Sequence, residues 1–274
     1  MIDRRTMLTG AAAATLLGSG TTIAAATTNG WRPLFDGSSL DGWTFFQDGG
    51  AMRDTEGAVA IEDGVLHFYG PAYRGTGKAA FGHIATVDSW SNYHLRLDFR
   101  WGVNRFAPRM LQRRNSGILY HLGAERDRLY PDGVEFQVEE TDVGDAIMIN
   151  TRALPGPLLG GTPLWPTYFP GLPQTYEAPV VAGGIARQWV RHAGDFETLE
   201  GWNTLDLYAF GDQAAHLVNG RIVTTLFGMR TARGLPLTRG RIALELEAAE
   251  VLYRNVMIRS LSDADIARIR ATGS

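Results

Sequence analysis

The sequence predicts an all-β protein: two packed antiparallel sheets in a jelly-roll sandwich, closed by one short C-terminal helix. Three observations carry this expectation. Segments of period-2 polarity recur from about residue 31 to 261. Gly, Asn and Asp pairs punctuate them at hairpin spacing, and no mid-chain stretch has the 3.6-residue period of an amphipathic helix. About ten such strands with antiparallel turn chemistry are the signature of a sandwich.

The elements follow in order. Val59 to Ile61 and Val65 to Tyr69 flank Glu62-Asp63-Gly64, a hairpin signal. His94 to Trp101 alternates without a break and sends Leu95, Leu97, Phe99 and Trp101 inward. Ser116 to Leu122, Gly133 to Glu140 and Ala146 to Thr151 are further strands. Leu205 to Phe210, Ala214 to Val218 and Arg221 to Phe227 read as a meander with a tight turn at Asn219-Gly220. Arg241 to Glu247 and Val251 to Leu261 complete the strands. Ser262 to Ala271 is the helix: Ser262 caps it, Asp265 sits three residues later, and Ile266 and Ile269 form its apolar stripe.

Two segments stand apart. In residues 1–26, Arg4 and Arg5 precede an Ala/Gly/Thr-rich run that ends in Ala24-Ala25-Ala26, the order of an export signal, and the arginine pair resembles a twin-arginine leader. That places the mature protein, a single domain over 27–274, in the periplasm or outside the cell. Residues 152–200 are rich in Pro, Gly and aromatic rings with weak periodicity, and read as a long functional loop.

Composition excludes several classes. The 274 residues carry a formal net charge of only -3, so there is no basic footprint for nucleic acid, and no later segment is long and apolar enough to span a membrane. With no cysteine there is no disulfide framework, thiolate metal site or cysteine nucleophile. The six histidines show no short ligand spacing, so neither a zinc site nor a cofactor is expected, and a divalent cation among the carboxylates is left open.

The candidate chemistry centres on Gly133 to Glu140. Val134, Phe136 and Val138 alternate with Glu135, Gln137 and Glu139, so the apolar three enter a core while the polar three line the opposite face, roughly 6.5 to 7 Å apart at each two-residue step. Carboxylates at such separations suit glycosidic chemistry, and an amide between them can hold a sugar hydroxyl. A solvated outer face is the equally weighted alternative. Asn115 opens the preceding strand, and period 2 puts His121 on one face with Gly117 and Leu119. Glu245 and Glu247 repeat the same-face carboxylate pattern; an exposed face is the more ordinary reading for Glu245. Trp165 and Tyr168 offer rings for stacking on pyranose faces. The basic cluster Arg105, Arg109, Arg113 and Arg114 reads as a solvated loop with a weak pull toward anionic substrates.

Several segments together resemble the 3-keto-disaccharide hydrolase family, of concanavalin A-like lectin/glucanase fold. They are Leu34 to Trp43, Gly82 to Thr86, Tyr93 to Arg100, Asn115 to Ile118, Glu135 to Val138 (a Glu-x-Gln element), Gly201 to Asn203, His216 to Gly220, Gly240 to Leu244 and Tyr253 to Arg259. The resemblance implies an enzyme acting on glycosides, in some members on sugars whose 3-hydroxyl has become a ketone. Such a ketone acidifies the C2 proton, so a base can remove it and the C1 substituent leave; acid-assisted hydrolysis is the competing route. On this reading Glu135 is the catalytic carboxylate. Gln137 and His121 orient substrate or move a proton, Glu247 and His216 line the groove with Asn115 and Glu139, and Trp165 or Tyr168 stacks on sugar. The chain departs from the family where it carries His121 for a common Arg and Glu245 for a common Gln; the family's acid after Glu-x-Gln aligns with Glu140. A non-catalytic carbohydrate-binding module, or a polysaccharide lyase or glucanase of the same fold, are the alternatives.

Overall fold

The computed structural model describes residues 30–165 and 175–272. The strands are β1 (Trp31–Pro33), β2 (Trp43–Gln47), β3 (Val59–Glu62), β4 (Val65–Phe68), β5 (Gly82–Thr86), β6 (Tyr93–Arg105), β7 (Asn115–Leu122), β8 (Gly133–Glu139), β9 (Ala146–Ile149) and β10 (Arg152–Pro155). They continue with β11 (Leu158–Leu159), β12 (Thr162–Pro163), β13 (Val180–Ala182), β14 (Ile185–Val190), β15 (Asn203–Phe210), β16 (Gln213–Val218), β17 (Arg221–Arg230), β18 (Arg241–Leu246) and β19 (Ala249–Ser260), before helix α1 (Asp263–Thr272). One sheet runs β13-β14-β9-β8-β7-β18-β5-β2; the other runs β10-β17-β16-β15-β6-β19-β4-β3, with β1 on the far part of β19. Every pairing is antiparallel, as expected of a jelly-roll sandwich.

The core forms where the inner faces meet. Leu95, Leu97 and Phe99 of β6 and Ile118, Phe136 and Leu244 of the other sheet are all at most 1% exposed and share one cluster. Burying each large side chain contributes about 1.5–3 kcal/mol. Asn219 and Gly220 both have positive φ, 49° and 77°, the backbone of the tight turn that their sequence predicts.

The region expected as a loop contains five short strands among its described residues. β10 pairs with β17 at the edge of one sheet, and β14 with β9 in the other. Gln188 of β14 ties the two edges together, accepting from the Ala153 amide at 3.2 Å and donating to its carbonyl at 2.9 Å. Short strands between frequent Pro and Gly leave little periodicity to read. The helix begins as expected: the Ser262 hydroxyl accepts from the Asp265 amide at 3.1 Å while Asp265 accepts from the Ser262 amide at 3.0 Å. Ile269 then packs with Leu261, Phe210 and Trp165. No helix among the described residues is long and apolar enough to cross a membrane. The leader at 1–26 and Tyr168 lie outside the described residues.

Candidate functional site

The strand β8 turns Val134, Phe136 and Val138 into the core, each 0% exposed, and Glu135, Gln137 and Glu139 to the outer side of its sheet. Register assembles the rest. Asn115, Gly117 and Leu119 of β7 stand beside Glu139, Gln137 and Glu135. Ala243 of β18 pairs with Leu119, which brings Glu245 onto the same face, and Glu245 pairs in turn with His83 of β5. On the other flank Ile147 pairs with Glu135, and Ile149 with Arg187 of β14. The floor between the polar groups is apolar: Ala85, Leu119, Ile147, Ile149 and Ala243 cluster there.

This face is not solvated. Glu135, Gln137 and Glu247 are 7% exposed and Glu245 is 2% exposed. Two connections roof them. Tyr130, from the segment joining β7 to β8, donates to Glu247 Oε1 at 3.3 Å, and the Arg187 guanidinium lies 4.9 Å from the Tyr130 ring centroid. Arg109, from the segment joining β6 to β7, binds Glu139 at 2.5 Å and reaches Glu247 at 3.9 Å. Asn115 Nδ2 also donates to Glu247 Oε2.

Glu135 and Glu245 converge above Gly117. A Cβ at that position would collide with Glu245 Oε2 and stand 3.0 Å from Glu135 Oε1. Burial raises both carboxyls, Glu135 to about 8 and Glu245 well above the ordinary range. The charge of Glu247 raises Glu135 further, whereas a hydrogen bond from Glu245 and the charge of Arg187 lower it. Both Glu135 and Glu247 push Glu245 up. Burial thus favours the protonated form of both carboxyls near neutral pH, and Glu135 is the first of the two to ionise as pH rises. Burial raises Glu247 as well, against the opposing pull of Arg109, Tyr130 and Asn115.

The same face concentrates buried polar atoms that have no hydrogen-bond partner: Asn115 Oδ1, Gln137 Oε1, Glu245 Oε2, His83 Nδ1, Arg109 Nε and Arg241 Nη1. Leaving such groups unpaired costs about 1–3 kcal/mol each, so their convergence fits a ligand rich in hydroxyl and carbonyl groups. An open cavity of about 410 Å³ lies elsewhere, lined by Thr151, Arg152, Tyr176 and Gln188 at the sheet edges. Its lining has no carboxyl pair, in contrast to the roofed face.

Three expected site residues are elsewhere. His121 does not share a face with Gly117 and Leu119, because β7 bulges there: Arg241 pairs with Leu122 but Ala243 with Leu119, and His121 takes φ of 54°. Its ring turns into the inter-sheet core, 6.0 Å from Tyr93 and 5.3 Å from Tyr120, where burial lowers it to about 3 and keeps it neutral. His216 lies beneath the candidate face, between the sheets: it stacks on Phe136 at 4.1 Å and bonds Tyr120 Oη at 3.0 Å and the Gly144 carbonyl at 3.1 Å. Trp165 packs on Tyr208 and Phe210 under the C-terminal helix, on the outer side of the opposite sheet.

Glu135, Gln137, Glu139, Asn115 and Glu247 do come together. Glu245 joins them against the expectation of an exposed strand face, and Arg109, Tyr130, Arg187 and His83 are additions. The alternation Arg241, Ala243, Glu245, Glu247 held the signal for Glu245; the others depend on which strands are neighbours. The arginine cluster is paired, Arg105 and Arg114 to Glu140 and Arg113 to Asp142. No group of three or more His, Asp or Glu side chains arranged to hold a metal occurs among the described residues.

A family model described as the 3-keto-alpha-glucoside-1,2-lyase-like domain matches residues 30–259. No curated protein matches the chain. Among solved structures, a candidate glycosyl hydrolase from Parabacteroides distasonis ATCC 8503 is similar at 19% identity and a TM-score of 0.49, over 85% of this chain and 94% of the other. The carbohydrate-binding module CBM66 from Bacillus subtilis is similar at 14% identity and a TM-score of 0.47, over 80% and 96%. The Bacillus licheniformis β-glucanase is similar at 12% identity and 0.45, over 85% and 97%.

Proposed function

The chain belongs to the 3-keto-alpha-glucoside-1,2-lyase-like domain family, and on that footing we propose that it is an exported enzyme that cleaves the C1 bond of 3-keto-glycosides by elimination. The observation that carries the reading is the Glu135–Glu245 pair, two carboxyls converging above Gly117 whose proton affinities burial raises, Glu245 the more.

The chemistry needs a base at C2 and a proton for the departing oxygen at C1. Glu135 is the base: although burial raises it to about 8, it ionises before Glu245, helped by Glu245 and by the charge of Arg187, and it acts in that ionised form. Its elevated affinity for protons makes it a stronger base than an exposed carboxylate. Glu245 is the acid: it holds its proton longer and stands next to the base. Glu135 takes the C2 proton, whose electrons are delocalised into the C3 carbonyl. The C1–O bond then breaks, the C1–C2 double bond forms, and the leaving oxygen takes the Glu245 proton. Water is not consumed in this step. Asn115, Gln137 and the Arg109–Glu139 pair bind the sugar's hydroxyl and carbonyl groups, and the twin-arginine-like leader carries the protein out of the cytoplasm.

The weak pull of the arginine cluster toward anionic substrates is met within the chain, since Arg105, Arg109, Arg113 and Arg114 are paired with carboxylates. The test is Glu135→Gln: a folded variant is expected to lose turnover of a 3-keto-glucoside by at least about a thousandfold, and full activity would sink the assignment. Sugar binding by the wild type with no cleavage of native or 3-keto substrates would instead favour a carbohydrate-binding module.

A further inference from the structure

His83 stands on β5 directly opposite Glu245, on the roofed face, and is 1% exposed. Directly paired positions in an antiparallel sheet hold their Cβ atoms about 4.5–5.5 Å apart. Its ring packs on Phe46, with centroids 5.6 Å apart. The Leu129 backbone favours the ring's protonated form, while Nδ1 is buried without a partner. By elimination the nitrogen at Leu129 is Nε2. A carbonyl only accepts, so Nε2 carries the hydrogen.

Burial, reinforced by the charge of Arg241, lowers the imidazole to about 4, and the ring is neutral near pH 7. A neutral ring that donates through Nε2 presents a lone pair at Nδ1. That atom requires an O–H or N–H donor. Among the unpartnered atoms on this face, Asn115 Oδ1 and Gln137 Oε1 have the same need, whereas Arg109 Nε and Arg241 Nη1 need acceptors.

We infer that His83 is a substrate-binding residue whose Nδ1 accepts a hydrogen bond from a sugar hydroxyl and holds the ring against the Glu135–Glu245 pair. This rests on the reading of the face as a sugar site. It also gives the site a discrimination: a ketone oxygen, itself an acceptor, is repelled at His83, so a hydroxyl sits here and the carbonyl is directed toward an arginine.

Two substitutions separate this role from a purely structural one. His83→Gln keeps an N–H near Leu129 and removes the acceptor at the Nδ1 position. His83→Asn places a carbonyl oxygen near the Nδ1 position and gives up the N–H near Leu129. KM and kcat on a 3-keto-glucoside, Kd for methyl glucosides by NMR titration, and Tm are measured for both. His83→Gln is expected to raise KM and Kd about tenfold with Tm near the wild type, and His83→Asn to recover most of that affinity at a lower Tm. The reverse pattern would show a structural histidine and overturn the proposal, as would a wild type that neither binds nor cleaves any of these sugars. Binding without cleavage would sink the elimination reading alone, and the ratio of Kd values would still decide for or against His83.

Discussion

Gly117 and Glu245 occupy facing positions on neighbouring strands, and the space that a Cβ would fill at Gly117 is taken by Glu245 Oε2. The glycine is there for room: β7 passes beneath two carboxyls that meet above it. Gly117→Ala should fold, lose about 1–3 kcal/mol through overpacking, and lose about a hundredfold in kcat/KM because small displacements of reacting groups are costly. Chemical denaturation and steady-state kinetics check both. Wild-type activity in this variant would show that the two carboxyls need not meet.

Glu245→Gln keeps an N–H that can point at Glu135 but removes the transferable proton. Turnover of substrates with poor leaving groups should fall about 10²–10⁴-fold. Glycosides of an acidic nitrophenol should recover most of the rate, because that leaving group departs without protonation. In Glu135→Gln the loss should be independent of the leaving group. Equal rescue of both variants, or of neither, would contradict the assigned roles.

Arg187 favours the ionised form of Glu135. Arg187→Gln should therefore raise the carboxyl further and move the acid limb of the kcat/KM profile upward by about 0.5–1 pH unit. An unchanged limb would mean that Glu135 is not the group titrating there.

The pair also imposes a pH dependence on stability. The folded-state pKa of Glu135, about 8, lies above the ordinary value of 4.5 for a glutamate. The folded form thus holds the proton more tightly, and the stability this contributes is complete below about 4.5 and lost as pH rises through about 8. Replacing Glu135 by Gln removes the penalty, so the variant should exceed the wild type in stability at pH 9 by a few kcal/mol, at about 1.4 kcal/mol per pKa unit. Denaturation at pH 5 and pH 9 measures it, and a gain equal at both values would contradict a buried Glu135 carboxyl that holds its proton near neutral pH.

Much of this arrangement was legible in the chain. Period 2 placed Glu135, Gln137 and Glu139 on one face of β8, and the inward positions Leu95, Leu97, Phe99 and Trp101 are buried. Whether the polar face met solvent was not legible, since that depends on Tyr130 and Arg109, which reach it from connections between strands. His121 misled because strict alternation fails at a bulge, and nothing in Gly117 to Leu122 marks the extra residue. His216 was more readable than expected: Ala214 and Val218 share its face in β16, and both belong to the inter-sheet core. His83 could be found only once β5 was known to lie beside β18.

The central claim is elimination at the Glu135–Glu245 pair, and product analysis tests it most directly. Wild-type protein is incubated with matched native and 3-keto glucosides, and the products are followed by NMR. The account predicts that only the 3-keto substrate reacts and that the first sugar product is the unsaturated ketone with a C1–C2 double bond. Cleavage of the native glucoside, or release of free 3-keto sugar with no unsaturated intermediate, would contradict it.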